Sequence, residues 1–100
     1  MRERDIEKYL REQVKAAGGR AYKWVSPGNN GVPDRIVLLP GGRIAFVELK
    51  APGKKPTALQ VNQQRYIAGL GMPVMVADSK EGIDELLQQM QTQGGLPAWQ

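Results

Sequence analysis

Residues 31–50 have the sequence GVPDRIVLLPGGRIAFVELK and are rich in apolar residues. Two largely apolar runs, 33–39 and 43–50, are separated by the loop-forming segment 40–42, whose sequence is Pro-Gly-Gly. Apolar runs rich in β-branched residues on either side of a short glycine-containing loop are typical of a β-hairpin. The stretch therefore predicts two antiparallel strands, and the charges within them need an explanation because unpaired buried charges are costly.

The length of the loop decides which charges face each other. If the two glycines alone form the loop, Asp34 lies opposite Leu49. If proline belongs to the loop as well, Leu39 pairs with Arg43 and Asp34 lies opposite Glu48. Proline suits the first position of a type I turn and glycine the left-handed position that follows, so we predict the second register.

In this register Asp34 and Glu48 face each other with Cβ atoms roughly 4.5 to 5.5 Å apart. Two carboxylates this close repel unless one is protonated or a cation lies between them, and a hard divalent cation is the simpler solution. The carbonyl of Leu49 is placed to complete its ligand set. Lys50 follows Glu48 by two residues, so it projects on the same face, where it can hold a water or a phosphate oxygen.

Composition limits the chemistry. The chain has no Cys and no His, which excludes disulfides, thiol nucleophiles, zinc sites with the usual ligands and a Ser/His/Asp triad. Fourteen Lys and Arg against ten Asp and Glu give a net charge of +4, which favours a polyanionic partner. No signal-peptide core and no apolar run near 18 residues is present, so we expect an intracellular protein without membrane contact.

Periodicity and helix or strand breakers predict the remaining segments. A helix, a strand and a loop precede the hairpin, and a basic loop, a helix, a short strand and a helix capped by Asp78 or Ser79 follow it. The segments before the hairpin are the helix 5–17, the strand 20–25 and the loop 26–31. Those after it are the basic loop 51–56, the helix 59–71 and the strand 73–77, followed by the last helix. This order predicts an α/β fold, a mixed β-sheet flanked by helices, as one domain over residues 1–90 with a flexible tail over 91–100.

The hairpin motif, Pro33-Asp34 followed by Glu48-Leu49-Lys50, resembles that of the PD-(D/E)XK nuclease superfamily. Three longer stretches resemble the virus-type replication-repair nuclease (VRR-NUC) family within it: ERDIEKYL at 3–10, YKWVSPGNNGVPDRIVLL at 22–39 and FVELKAPGKKPTALQ at 46–60. The resemblance extends from Glu3 to Ala77. It implies a restriction-endonuclease-like fold and a metal-dependent endonuclease that acts on DNA.

The resemblance also implies a role for each motif residue. Asp34 and Glu48 are expected to bind Mg²⁺ or Mn²⁺, and Lys50 to position or activate water. A carboxylate of the first helix is expected to assist, directly or through water. Glu7 is the candidate because it shares a helical stripe with apolar residues, and Glu3, one turn earlier, is the alternative.

Gln60 is a further candidate of the catalytic site. It also completes the pattern Thr-Ala-Leu-Gln at 57–60, which is typical of a capping box. Six residues are candidates for DNA contact, although each has an alternative explanation as a solvated or turn-forming residue. They are Lys23, Ser26, Asn29, Asn30, Lys54 and Lys55.

We therefore expect a structure-selective endonuclease in the cytoplasm of a prokaryotic or phage-infected cell. By resemblance, it acts as a homodimer on branched DNA such as Holliday junctions. The apolar face of the second or third helix, together with Leu96–Trp99, is the candidate association surface. The main alternative is an accessory nucleic-acid-binding module without hydrolytic function, and a further one is an interaction domain that binds no nucleic acid.

Overall fold

A computed structural model describes residues 1–92 of the chain. These residues form helices and strands in the order αβββαβα. The elements are α1 (Glu3–Ala16), β1 (Arg20–Lys23), β2 (Arg35–Leu39), β3 (Arg43–Leu49), α2 (Ala58–Gly69), β4 (Val74–Ala77) and α3 (Lys80–Thr92). Each predicted helix and strand is present, with bounds shifted by a few residues.

The four strands form one mixed sheet in the order β1-β2-β3-β4. The first three strands are antiparallel neighbours, whereas β4 runs parallel to β3. A parallel neighbour requires a crossover connection, which α2 supplies. The mixed sheet flanked by helices confirms the predicted α/β, restriction-endonuclease-like fold.

The hairpin has the predicted register, since Leu39 pairs with Arg43. The turn itself differs from the predicted type I. Gly41 has a φ of 88° and Gly42 a φ of 74°, and a positive φ directly after the proline is the geometry of a type II turn. The left-handed region favours glycine, so both glycines are needed to keep the loop at three residues.

The hydrophobic core lies between one face of the sheet and the helices α1 and α3. Alternate residues of β2 and β3 point to this face, as expected of a pleated strand. The third helix buries its whole apolar stripe here, so that stripe is not available for association. The core consists of Ile6, Leu10, Val14, Val37, Leu39, Ala45, Val47, Leu49, Ala77, Ile83, Leu86, Leu87 and Met90.

The second helix lies outside this core. It packs against β4, and Ile67 is its buried residue. Leu59, Tyr66 and Leu70 stay exposed. None of the helices within residues 1–92 has the length and apolar character that a bilayer crossing demands.

Side-chain hydrogen bonds lie at both ends of α3. The Ser79 hydroxyl accepts the Gly82 N–H at 2.9 Å, so Ser79 rather than Asp78 caps α3. This helix continues two residues beyond the predicted domain end at residue 90, and the Thr92 hydroxyl donates to the Gln88 carbonyl at 2.9 Å. Residues 93–100, including the predicted association segment Leu96–Trp99, lie outside the described residues.

Candidate active site

The hairpin brings Asp34 and Glu48 together at one end of the two central strands, β2 and β3. The register of β2 and β3 continues one step beyond β2 and sets these two residues opposite each other. Asp34 is fixed from two sides: its Oδ2 accepts the Leu49 N–H at 2.9 Å, and its carbonyl accepts the Trp24 N–H at 2.8 Å. The carboxylate is therefore held beside β3 by backbone donors that depend on the sheet.

Glu48 is fully buried, with 0% of its surface exposed. Neither of its carboxylate oxygens has a hydrogen-bond partner among the described residues. The nearest cation is Lys50, whose Nζ lies 3.5 Å from Oε2. Burial, and next the charge of Asp34, raise the pKa of Glu48 from 4.5 to about 7, against the opposing effect of Lys50.

A buried carboxylate without a hydrogen bond is costly, and the pair formed with Asp34 is a suitable site for a hard divalent cation. The Leu49 carbonyl is a candidate third ligand. Its register partner would be Pro33, which has no N–H to donate. Two carboxylates and one carbonyl leave room for the waters that Mg²⁺ usually retains. The residues present therefore fit the ion that the resemblance implies.

The third carboxylate does not join this pair. Glu7 lies on the α1 side of the sheet, where its Oε1 accepts a hydrogen bond from Arg35 Nη2 at 2.6 Å and lies 3.5 Å from Arg11 Nε. Among residues 1–92, no group of three or more acidic side chains is placed to hold an ion. Glu3, the alternative, is exposed.

Gln60 has a clear structural role. Its Oε1 accepts the Thr57 N–H at 2.9 Å, while the Thr57 hydroxyl accepts the Gln60 N–H at 3.2 Å. The predicted capping box is thus present and begins α2 next to the basic loop. The catalytic role of Gln60 stays a prediction.

The loop 26–31 is fixed against α2. Asn29 Nδ2 donates to the Ser26 hydroxyl at 3.0 Å, and Gln63 Nε2 donates to the Asn30 carbonyl at 3.3 Å. Gly31 has a φ of 88°, and a Cβ at this position would come within 3.0 Å of the first turn of α2. These contacts hold the three candidate DNA-binding residues of the loop next to the strand that carries Asp34.

The candidate lysines occupy two surfaces. Lys54 and Lys55 are exposed on the basic loop, which Asp78 anchors by accepting the Gly53 N–H at 3.1 Å. Lys23 pairs with Arg35 across the strands. Because Arg35 contacts α1, Lys23 lies on the α1 face of the sheet, opposite the face of Asp34 and Glu48.

Arg35 is a structural residue that the sequence reasoning missed. Its side chain is only 12% exposed. Besides Glu7, it contacts the Ala21 carbonyl through Nη1 at 3.3 Å. It therefore links α1, β1 and β2 directly beside Asp34. The sequence does contain a signal for this role, because Arg35 lies on the same face of β2 as the buried apolar residues Val37 and Leu39.

The burial of Glu48 predicts how stability depends on pH in the metal-free protein. Below about pH 4.5 the carboxyl is neutral in both folded and unfolded chains. Above about pH 7 the folded chain must hold a buried charge, so stability falls as pH rises between these values. Glu48→Gln should remove this loss and raise the free energy of unfolding at pH 8 by up to about 3 kcal/mol.

Urea unfolding with a chelator present, at pH 4.5 and pH 8, measures this difference. The exposed Glu85→Gln on α3 is the matched control, and it should change the free energy of unfolding similarly at both pH values. Equal stabilities of wild type and Glu48→Gln at pH 8 would contradict the prediction.

Two known proteins resemble this chain over most of its length. The chain is 53% identical, over 81 residues, to a protein named "Putative nuclease p44" from Acyrthosiphon pisum secondary endosymbiont phage 1, and the match covers 81% of this chain and 87% of that protein. A solved structure named "VRR_NUC domain" has a TM-score of 0.81 and 34% identity, covering 86% of this chain and 94% of that one. A scan against models of known protein families matched none of them.

Proposed function

Because the chain belongs to the VRR-NUC family of the PD-(D/E)XK nuclease superfamily, we propose that it is a Mg²⁺- or Mn²⁺-dependent endonuclease that hydrolyses DNA phosphodiester bonds. The observation that carries this proposal is the Glu48 carboxylate, which is buried without a hydrogen bond opposite Asp34. A purely structural sheet has no reason to bear the cost of such a pair. A site that binds a divalent cation does.

In this proposal Asp34 and Glu48 share one task, and Lys50 has another. Asp34, Glu48 and the Leu49 carbonyl would hold the ion, which when bound would supply Lewis-acid stabilisation of charge on the reacting phosphate and would lower the pKa of water. Lys50 extends beyond Glu48 on the same face, with 15% of its side chain exposed. Its ammonium donates to the attacking water or to a phosphate oxygen and orients it for attack.

For Glu7 we propose a positioning role. Its contact with Arg35 at 2.6 Å fixes the start of β2, so we propose that it positions Asp34 rather than reaching the ion directly. Gln60 similarly orders the start of α2 through its capping box. Lys23, Lys54, Lys55 and the loop residues Ser26, Asn29 and Asn30 bind the DNA backbone.

The proposed function is tested by incubating the purified protein with duplex, single-stranded, flap and four-way-junction DNA in Mg²⁺, Mn²⁺ or a chelator. Cleavage is expected with either ion and none with the chelator. Glu85→Gln should cleave like wild type. Retained cleavage in the chelator would contradict metal dependence, and binding without cleavage in both ions would favour an accessory DNA-binding module instead.

We further propose that the enzyme is a homodimer that cuts branched DNA, with a substrate in the cytoplasm of a bacterial or phage-infected cell. One active site cuts one strand, and a two-fold pair of domains supplies two sites of matching geometry. The candidate interface is the outer side of α2 with the segment after it, where several large apolar side chains are exposed. They are Leu59, Tyr66, Leu70, Met72 and Val76.

Light scattering should accordingly report about twice the 11.0 kDa mass of one chain. Replacing Tyr66 and Leu70 by Ser should lower this mass toward that of a monomer and convert paired incisions of a four-way junction into single nicks. The matched control is Tyr22→Ser, an exposed aromatic residue on β1, at the other end of the strand order. A monomeric mass with junction DNA bound would contradict the dimer but not the nuclease chemistry.

A further inference from the structure

The outward face of α1 carries four cations that no proposed role above uses. Arg4, Lys8, Arg11 and Lys15 are spaced by four, three and four residues and are all exposed. At 3.6 residues per turn they fall within an arc of about 60° on the helix surface. We refer to these four residues as the α1 ridge. The apolar side of the helix packs into the core, so the ridge faces away from the protein.

The ridge is unfavourable for the isolated domain. Arg4 with Lys8, and Arg11 with Lys15, are like charges at i and i+4, which destabilises a helix. Arg4, in the first turn of α1, also opposes the helix dipole. Among the described residues, the ion pair that the ridge forms is that of Arg11 with Glu7 at 3.5 Å. The remaining charge is available to an external polyanion.

The dimensions of the ridge suit a DNA strand. Eleven residues separate its ends, and at 1.5 Å per residue the ridge is about 16 Å long. One strand of B-DNA carries a phosphate every 3.4 Å of helix axis, so a ridge of this length spans about five phosphates. A straight row of cations on a helix, without aromatic residues between them, is suited to backbone contact rather than to base recognition.

The position of the ridge separates it from the active site. Its N-terminal half lies near the end of the sheet that carries the active site, because Glu7 on α1 contacts Arg35, the neighbour of Asp34, at 2.6 Å. The ridge then runs to the other end of the sheet, where Gly19 lies against Leu38. Asp34 and Glu48 lie on the opposite face of the sheet. A straight duplex held in the active site therefore leaves in a different direction from a duplex on the ridge.

We propose that the α1 ridge binds the phosphate backbone of a second duplex arm of a branched DNA, while the arm to be cut occupies the active site. This inference rests on the proposed DNA nuclease function and adds the surface that distinguishes branched from linear substrates. Lys23, exposed on the α1 face of the sheet, extends the same basic surface toward β1.

The test compares two triple variants that each remove three positive charges. The ridge variant is Arg4→Gln/Lys8→Gln/Lys15→Gln, which spares Arg11 because it contacts Glu7. The control variant is Arg20→Gln/Arg65→Gln/Lys80→Gln, three exposed cations elsewhere on the surface. Binding is measured in a chelator, across a series of salt concentrations, for a four-way junction and for a linear duplex with the sequence of two of its arms.

The ridge variant should lose about tenfold or more of its affinity for the junction and no more than about twofold for the linear duplex. Its junction affinity should also depend less on salt, with the slope of log K against log salt smaller in magnitude by about 2 to 3, since each phosphate contact contributes about 0.9. The control variant should affect both DNAs equally. An equal loss on junction and duplex, or no loss on either, would overturn the inference.

Two further measurements separate this inference from its premises. Thermal unfolding should show the ridge variant at least as stable as wild type, because like-charge pairs have been removed. Should the triple variant fail to fold, Lys8→Glu alone must still lower junction affinity selectively. If junction binding depends on the ridge but no metal-dependent cleavage occurs, the nuclease proposal alone is overturned. If cleavage is normal but the ridge variant binds junctions like wild type, the proposed role of the ridge alone is overturned.

Discussion

Asp34→Asn and Glu48→Gln should each abolish metal-dependent DNA cleavage, with a loss of at least about 1,000-fold in turnover. Each change removes one of the two negative charges that we propose to hold the ion, while keeping the side-chain volume. Metal ions supply several kcal/mol of transition-state stabilisation, and each 1.36 kcal/mol corresponds to a factor of ten in rate. The amide oxygen introduced by Asp34→Asn can still accept the N–H of Leu49, which the Asp34 carboxylate accepts at 2.9 Å, so the hairpin should be preserved.

Single-turnover cleavage with saturating DNA and Mn²⁺ measures this loss, and circular dichroism verifies the fold. Thermal melting gives a second readout that is independent of catalysis. An ion that binds only the folded state raises the melting temperature by mass action. Mn²⁺ should do so for wild type and for Glu85→Gln, but much less for the two site variants. Cleavage at the wild-type rate in either variant would exclude the site.

Lys50→Ala should lower the rate of the chemical step by about 100- to 1,000-fold, the range of positioned proton-transfer groups. Its effect on the Mn²⁺-induced rise in melting temperature should be small, because the Lys50 ammonium is not itself proposed to bind the ion. The ammonium lies 3.5 Å from the Glu48 carboxylate. Lys50→Met keeps the aliphatic stem of the side chain and should lose the same rate. This separates loss of the ammonium from loss of packing.

The contrasting variant is Lys54→Ala/Lys55→Ala, which changes two exposed lysines on the neighbouring loop. It should weaken DNA binding and reduce the salt slope by about 2, because each phosphate contact contributes about 0.9. Cleavage at saturating DNA should change little. If the Lys50 variants and the loop variant had the same effects on binding and rate, the assignment of separate catalytic and DNA-positioning lysines would be wrong.

The resemblance to the nuclease family and the fold could both be predicted from short-range sequence signals. The pairing of Leu39 with Arg43, and with it the placement of Asp34 opposite Glu48, depends on the length of one loop and on the alternation of side chains along two strands. The helices follow from apolar periodicity and from caps such as Thr57. These signals act over a few residues.

Local sequence patterns are sufficient to predict which residues face each other across the hairpin and which residue types are available for the chemistry. The use of each of these residues depends on tertiary packing. The helical stripe of Glu7 allowed an inward carboxylate, but Arg35, 28 residues away, bonds to it at 2.6 Å. Likewise, Glu48 is buried and without a hydrogen bond because elements from distant parts of the chain cover β3. The partner and the burial of a charged side chain depend on long-range packing, and neither is encoded in the local pattern around it.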